Sequence, residues 1–166
     1  MTITVNFNYE SIHRLANTDG IVSASPAIPR AGRLYVILNN STARTVYVGT
    51  SSDVKARFVS RLQVIREMGF DVGSPTIFIV QIQINTVYTQ PGDDGIADGI
   101  DVEHLLIRTY VKLLGLNVRN VTKWGVFRNT TTDKLIWSLN NQAGITDFGG
   151  PYRYSLEPNG SNGSSF

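Results

Sequence analysis

The chain has 166 residues, 42% of them apolar and 17% charged, with a formal net charge of +2; it suits one globular domain with a real core, and an isoelectric point of about 9.0 gives mild encouragement for an anionic partner. The absence of cysteine rules out disulfides and thiolate metal centres, and two histidines argue against a multi-histidine site. No apolar run is long enough to span a bilayer, and the first ten residues lack the basic start and apolar stretch of a secretory signal, so a cytoplasmic protein with no membrane partner is expected.

Residues 2–9 (TITVNFNY) alternate loosely and predict an edge strand. YESIHRLAN (9–17) predicts a short helix ending near Asp19-Gly20, and SASPAIPRAG (23–32), with two prolines, predicts a loop. Residues 1–31 are therefore read as an N-terminal arm. RLYVIL (33–38) and VYVGT (46–50) predict two strands joined by the polar NNSTART, an antiparallel hairpin with a loop longer than a two-residue turn. SSDVKARFVSRLQVIREMGF (51–70) reads as a helix. Ser51, Ser52 or Asp53 offers an N-cap, Val54, Phe58, Leu62 and Ile65 recur at helical spacing, and Gly69 ends it. TIFIVQIQINTVY (76–88) predicts a third strand, and TQPGDDGIADGI (89–100) a loop. DVEHLLIRTYVKLLGLN (101–117) predicts a second helix with Asp101 as cap, a buried stripe of Leu105, Leu106, Tyr110, Leu113 and Leu114, and Gly115 as its stop. Beyond Asn117, KWGVF and KLIWSL are short strand-like or helical pieces, and EPNGSNGSSF (157–166) reads as a mobile tail. The expectation is a single domain over 1–166, with a centre at 32–120 and a C-terminal extension at 121–166. The fold class is α+β, with a small three-stranded antiparallel sheet flanked by helices.

The centre resembles the GIY-YIG nuclease superfamily. RLYVI places Tyr35 where the family's first motif has its tyrosine, and Tyr47-Val48-Gly49 matches the second motif. Ser51, Asp53, Val54 and Arg57 follow in the family's order. Glu103 then opens a helix, and Leu116-Asn117 closes the series. Arg33 stands where the family name calls for glycine, beside Gly32, and Arg61 stands where a histidine is frequent. The resemblance covers about half of the chain, and its weight comes from six matches in order rather than from any one of them.

The resemblance implies hydrolysis of a phosphodiester by an activated water. Tyr35 or Tyr47 would orient the water or take its proton, with Tyr35 preferred; a phenylalanine could pack there but could not transfer a proton. Arg57 would clamp the phosphate with its planar, permanently charged guanidinium, and Arg61, one helical turn on, would assist it. Glu103 would ligate a magnesium or manganese ion, and Asn117 would support the site with its amide. Taken singly each residue has a plainer role: packing for the tyrosines, surface pairing for the arginines, helix N-terminal stabilisation for Glu103. His104 is read as non-ligating, because neighbours on a helix point about 100° apart.

Charge adds a second layer. Asp93, Asp94, Asp98, Asp101 and Glu103 fall within eleven positions that hold no base, while the remaining eight acids face all 15 basic residues. Arg108, Lys112, Arg119, Lys123 and Arg128 form the expected nucleic-acid-binding set, interleaved with Trp124, Phe127 and Trp137. The function expected is a metal-dependent endonuclease acting on DNA, double-stranded and of restriction type, as a monomer or homodimer, with RNA left open. The alternatives are a toxin or repair nuclease of the same fold, or a nucleic-acid-binding module without catalysis.

Overall fold

The computed structural model describes residues 2–14, 34–39, 45–51, 53, 56–57, 62–70, 77–84, 91, 95–97, 99–140 and 152–161. In chain order these form β1 (Thr2–Arg14), β2 (Leu34–Asn39), β3 (Thr45–Thr50), α1 (Leu62–Glu67), β4 (Ile77–Ile84), β5 (Ile96–Ala97), β6 (Ile100–Asp101), α2 (Val102–Lys112), β7 (Asn117–Val118), β8 (Lys134–Asn140) and β9 (Tyr152–Leu156). The class is α+β, as the sequence predicts. The sheet, however, is larger than the three antiparallel strands expected. Seven strands run in the order β7-β3-β2-β4-β1-β8-β9, and β5 and β6 form a separate two-stranded piece.

The predicted trio is present as β3-β2-β4, antiparallel throughout. It is extended at both sides. β7 pairs with β3 in parallel, and β1 lies against β4, antiparallel on that side and parallel to β8 on the other. The sheet is therefore mixed. β1 is an interior strand, not an edge, and it continues through Arg14, so most of the segment expected to be helical is strand. Alternation explains its position. Val5, Phe7 and Tyr9 point inward and are fully buried. Asn6 and Asn8 point the other way and meet Ser138 and Asn140 of β8, Oγ of Ser138 donating to Asn6 Oδ1 at 2.6 Å and Nδ2 of Asn140 to Asn8 Oδ1 at 2.8 Å. Such in-register polar pairs fix which residues of two parallel strands stand opposite each other.

The main core lies between one face of this sheet and α2. Leu34, Val36, Leu38, Val46, Val48 and Ile82 pack there with Leu105, Leu106 and Tyr110 of the helix. Leu113 and Leu114 of the expected stripe lie past the helix end and are half-buried. Polar groups taken into this core are paired, as burial requires. The hydroxyls of Tyr9 and Tyr110 meet at 2.6 Å, and burial raises the pKa of both, so they stay neutral. Trp137 donates its indole N–H to Thr109 Oγ1, which itself donates to Leu105 O. Trp137 and Phe127, interleaved in sequence with the expected nucleic-acid-binding set, are core residues.

Asp101 caps α2, accepting from the His104 backbone N–H at 2.9 Å. Gly115, at φ +61°, takes the left-handed turn that ends it. The expected mobile tail is pinned as far as Ser161. Buried Asn129 donates through Nδ2 to Leu156 O and Glu157 O, and its backbone exchanges hydrogen bonds of 2.8 Å with Gly160 O and Asn159 N–H.

Candidate functional site

The register of the β2–β3 hairpin sets the first wall of the site. Tyr35 stands opposite Gly49 and Ile37 opposite Tyr47, so Tyr35 and Tyr47 are diagonal neighbours on one face. That face is the one turned away from α2, because Val36 and Val48 occupy the alternate positions and lie in the α2 core. Tyr35 is only 3% exposed, whereas Tyr47 is half-buried. The glycine of the Tyr-Val-Gly motif has a steric cause. A Cβ built on Gly49 would lie 2.5 Å from Tyr35 Oη and 2.9 Å from its Cε1, so the ring crosses the strand where only glycine leaves room.

This contact makes Gly49 a sharp probe. Gly49→Ala is expected to cost about 1–3 kcal/mol of stability, the usual penalty for overpacking, measured by urea unfolding. In a Tyr35→Ala background most of that penalty should vanish, because the ring that the new methyl meets is gone. An equal penalty in both backgrounds would remove the steric explanation.

Arg57 enters from a helical turn after β3. Asp53 caps that turn, its Oδ1 accepting from the Ala56 N–H and its carbonyl from the Arg57 N–H, each at 3.0 Å. Ser51 braces Asp53 in both directions, Oγ donating to Asp53 O and accepting from Asp53 N–H. Asp53 is thus the cap among the three candidates read from sequence. Arg61 lies outside the described residues.

Glu103 comes from the opposite side, on the first turn of α2. Thr50, at the end of β3, donates its hydroxyl to Glu103 Oε2 at 3.4 Å. Gly95 backs the carboxylate. At φ +80° it takes a conformation few side chains tolerate, and a Cβ there would lie 2.7 Å from Glu103 Oε2. Lys123 completes the group, its Nζ 3.6 Å from Glu103 Oε2 and 3.2 Å from Asp101 Oδ1. Burial is the largest influence on Glu103 and pushes its pKa up. Lys123 pulls it down and Asp101 pushes it up, and the net direction is upward from 4.5.

These parts share one cavity of about 290 Å³, lined by Tyr35, Tyr47, Gly49, Thr50, Arg57, Val64, Ile65, Met68, Glu103 and Lys123. Two phenols, a guanidinium, an ammonium and a half-buried carboxylate thus converge from β2, β3, the Arg57 turn, α2 and the 119–128 loop. Such a pocket can bind an anionic oxygen group and move a proton beside it.

Two expected residues stand elsewhere. Asn117 is exposed on β7, donating to Thr45 Oγ1 at 3.3 Å, away from the cavity. The amide that supports the site is Asn120, buried. Its Oδ1 accepts from the Val48 N–H at 2.9 Å and its Nδ2 donates to Val48 O at 2.7 Å. It continues with a side chain the pairing that β7 makes with its backbone, and so holds the middle of the Tyr-Val-Gly motif. Lys123, expected among the phosphate contacts of the surface, lines the cavity instead. It does so from a left-handed backbone at φ +63°, unusual for a lysine.

Of the remaining basic set, Arg108 donates to Trp124 O, Arg119 to Met68 O and Arg128 to Asn159 O, while Lys112 is exposed at the end of α2. His104 turns from the cavity, donating Nε2 to Gly125 O at 2.9 Å and meeting the Phe127 ring edge-on. Among the described residues no helix is long and apolar enough to cross a membrane. No family model matches the chain, and no curated protein and no solved structure matches it.

Proposed function

We propose that the protein is a metal-dependent endonuclease of GIY-YIG type that hydrolyses phosphodiester bonds in DNA. The observation that carries this reading is the convergence of Tyr35, Tyr47, Arg57 and Glu103, drawn from separate segments, on one cavity. A packing role for the tyrosines alone gives no reason for a guanidinium and a half-buried carboxylate to face the same space.

The donor set fits a hard divalent ion only in a largely hydrated state. Among the described residues no group of three acidic or histidine side chains could enclose a metal. Magnesium keeps several waters and needs as little as one protein carboxylate. Glu103 would hold it, with the Thr50 hydroxyl beside the same oxygen. When bound, the ion supplies charge to polarise the phosphate and stabilise the leaving oxygen.

The remaining work falls to the chain. Tyr35, held across Gly49, is the proposed base: in its phenolate form it would take a proton from the attacking water and become the phenol, while Tyr47 orients that water. Arg57 donates to the non-bridging oxygens as their charge grows. Lys123 balances Glu103 and Asp101, so the cavity does not confront an incoming phosphate with two unpaired carboxylates. Asn120 keeps β3 in place. The substrate is double-stranded DNA and the proposed enzyme is of restriction type.

The test is digestion of a complex DNA with magnesium or manganese. Discrete fragments are expected. A smear would keep the nuclease and remove sequence specificity, favouring the toxin or repair alternative. DNA binding without any product under either metal would replace the reading with the non-catalytic module.

A further inference from the structure

Five large apolar side chains are exposed among the described residues: Val64, Ile96, Val121, Trp124 and Val126. Three of them fall within six positions of the 119–128 loop, Val121 at 94%, Trp124 at 46% and Val126 at 49% exposure. An apolar cluster of this kind marks a binding surface when the loop that carries it is held in place. This loop is held at several points. Asn120 clamps Val48, the Trp124 indole N–H donates to Asn120 O, Arg108 donates to Trp124 O at 3.0 Å, and Phe127 is buried. The left-handed Lys123 bends the chain just before Trp124 and sends its own ammonium into the cavity.

Charge identifies the occupant. From His104 to Thr132 the sequence has five basic residues and no acid. Arg119 and Arg128 flank the apolar cluster, both exposed, and neither is in an ion pair with a described residue. A protein partner buried on such a patch gains little from a row of cations, whereas a polyanion with flat apolar faces matches both features. The indole N–H is already satisfied, so what Trp124 offers is ring surface, which suits stacking on any base.

We propose that the 119–128 loop is a wedge that stacks Trp124 on a base of bound DNA, with Val121 beside it and Arg119 and Arg128 on the neighbouring phosphates. The inference rests on the nuclease reading and deepens it. Because Lys123 adjoins Trp124 and reaches Glu103, the loop ties contact with the bases to the arrangement of the cavity. Apolar side chains pressed between base steps open the stack and bend the duplex.

The test uses the full chain in EDTA, which prevents metal-dependent cutting, with duplex oligonucleotides carrying 2-aminopurine. Trp124 and Trp137 are the only tryptophans, and Trp137 is wholly buried, so any change in tryptophan emission reports Trp124. DNA is expected to quench that emission and to raise 2-aminopurine fluorescence. Trp124→Ala should weaken binding about 5- to 150-fold, the range for one lost base stack, with the salt dependence unchanged. Trp124→Phe should keep most of the affinity, which separates loss of the ring from loss of the fold. Arg128→Ala should instead lower the salt slope by about 0.9. Binding with unaltered emission and unaltered affinity in Trp124→Ala would overturn the wedge and leave the nuclease reading standing. A response to anionic vesicles but not to DNA would overturn it in favour of a lipid surface. No DNA binding at all would overturn both.

Discussion

Glu103→Gln is expected to abolish magnesium-dependent cleavage while leaving DNA binding intact or tighter. The amide keeps the shape of the side chain but is a poor ligand for a hard cation, and one negative charge facing the phosphate is gone. Stability gives a second readout with a definite sign. Burial raises the Glu103 pKa above 4.5, so the folded protein holds that proton more tightly than the unfolded chain does. The stabilisation linked to the proton is complete below about pH 4.5 and is lost as pH rises through the folded value. At pH 7 the wild-type protein therefore carries a half-buried charge that the variant lacks. The Tm of Glu103→Gln should exceed that of the wild type at pH 7, and the gap should close in acid. Added magnesium should raise the wild-type Tm and leave the variant unchanged. If Glu103 served only the N-terminus of α2, the variant would be less stable and would still cut. Retained cleavage at near wild-type rate would move the metal to Asp101 or Asp98, or remove it.

Arg57→Ala should lower the cleavage rate by about 10²–10³, the usual cost of losing a donor to a developing oxyanion. Arg66 is the control. It lies exposed in the last turn of α1 and does not line the cavity, so Arg66→Ala should change the rate little. Arg57→Lys should recover only part of the loss, because an ammonium cannot present the planar pair of donors. The measurement is single-turnover cleavage at saturating protein. Equal, small effects from Arg57→Ala and Arg66→Ala would show that the cavity is not where the phosphate sits.

What could be read from sequence was local. The paired tyrosines follow from period-two alternation on two strands joined by a turn, and the structure puts both on one face. Asp101 as a helix cap needs only three residues of chain, and it was legible for that reason. The three central strands and α2 announce themselves by periodicity. The errors fall where distant segments decide. The Thr2–Arg14 stretch has the alternation of a strand throughout half its length, but nothing local says that β4 and β8 lie on either side of it. Asn120 and Asn117 look alike in sequence. Only the two-residue β7, paired in parallel with β3, shows that the asparagine three residues beyond Asn117 reaches Val48. Lys123 reads as one more surface cation, because its entry into the cavity depends on a positive φ that lysine seldom adopts. Glycine at 95 carried a signal that was usable: a glycine near an acidic residue can mark where a backbone passes close to a working side chain.

The pairing of β1 with β8 has a consequence for how the chain is made. Asn6 and Ser138 are separated by 132 positions, so β8 is synthesised long after β1. Until then one side of β1 is an unsatisfied row of backbone donors and acceptors, open to the wrong neighbour. Closing so long a loop is slow compared with forming the β2–β3 hairpin or α2. The nascent protein should therefore hold its hairpin and helix early and seal the β1–β8 seam last. Pulse-labelled hydrogen exchange during refolding would register this as amides of Tyr47 and Leu106 protected ahead of those in Val5 and Trp137. A chaperone that shields lone strand edges would act on this chain in the interval between those two events.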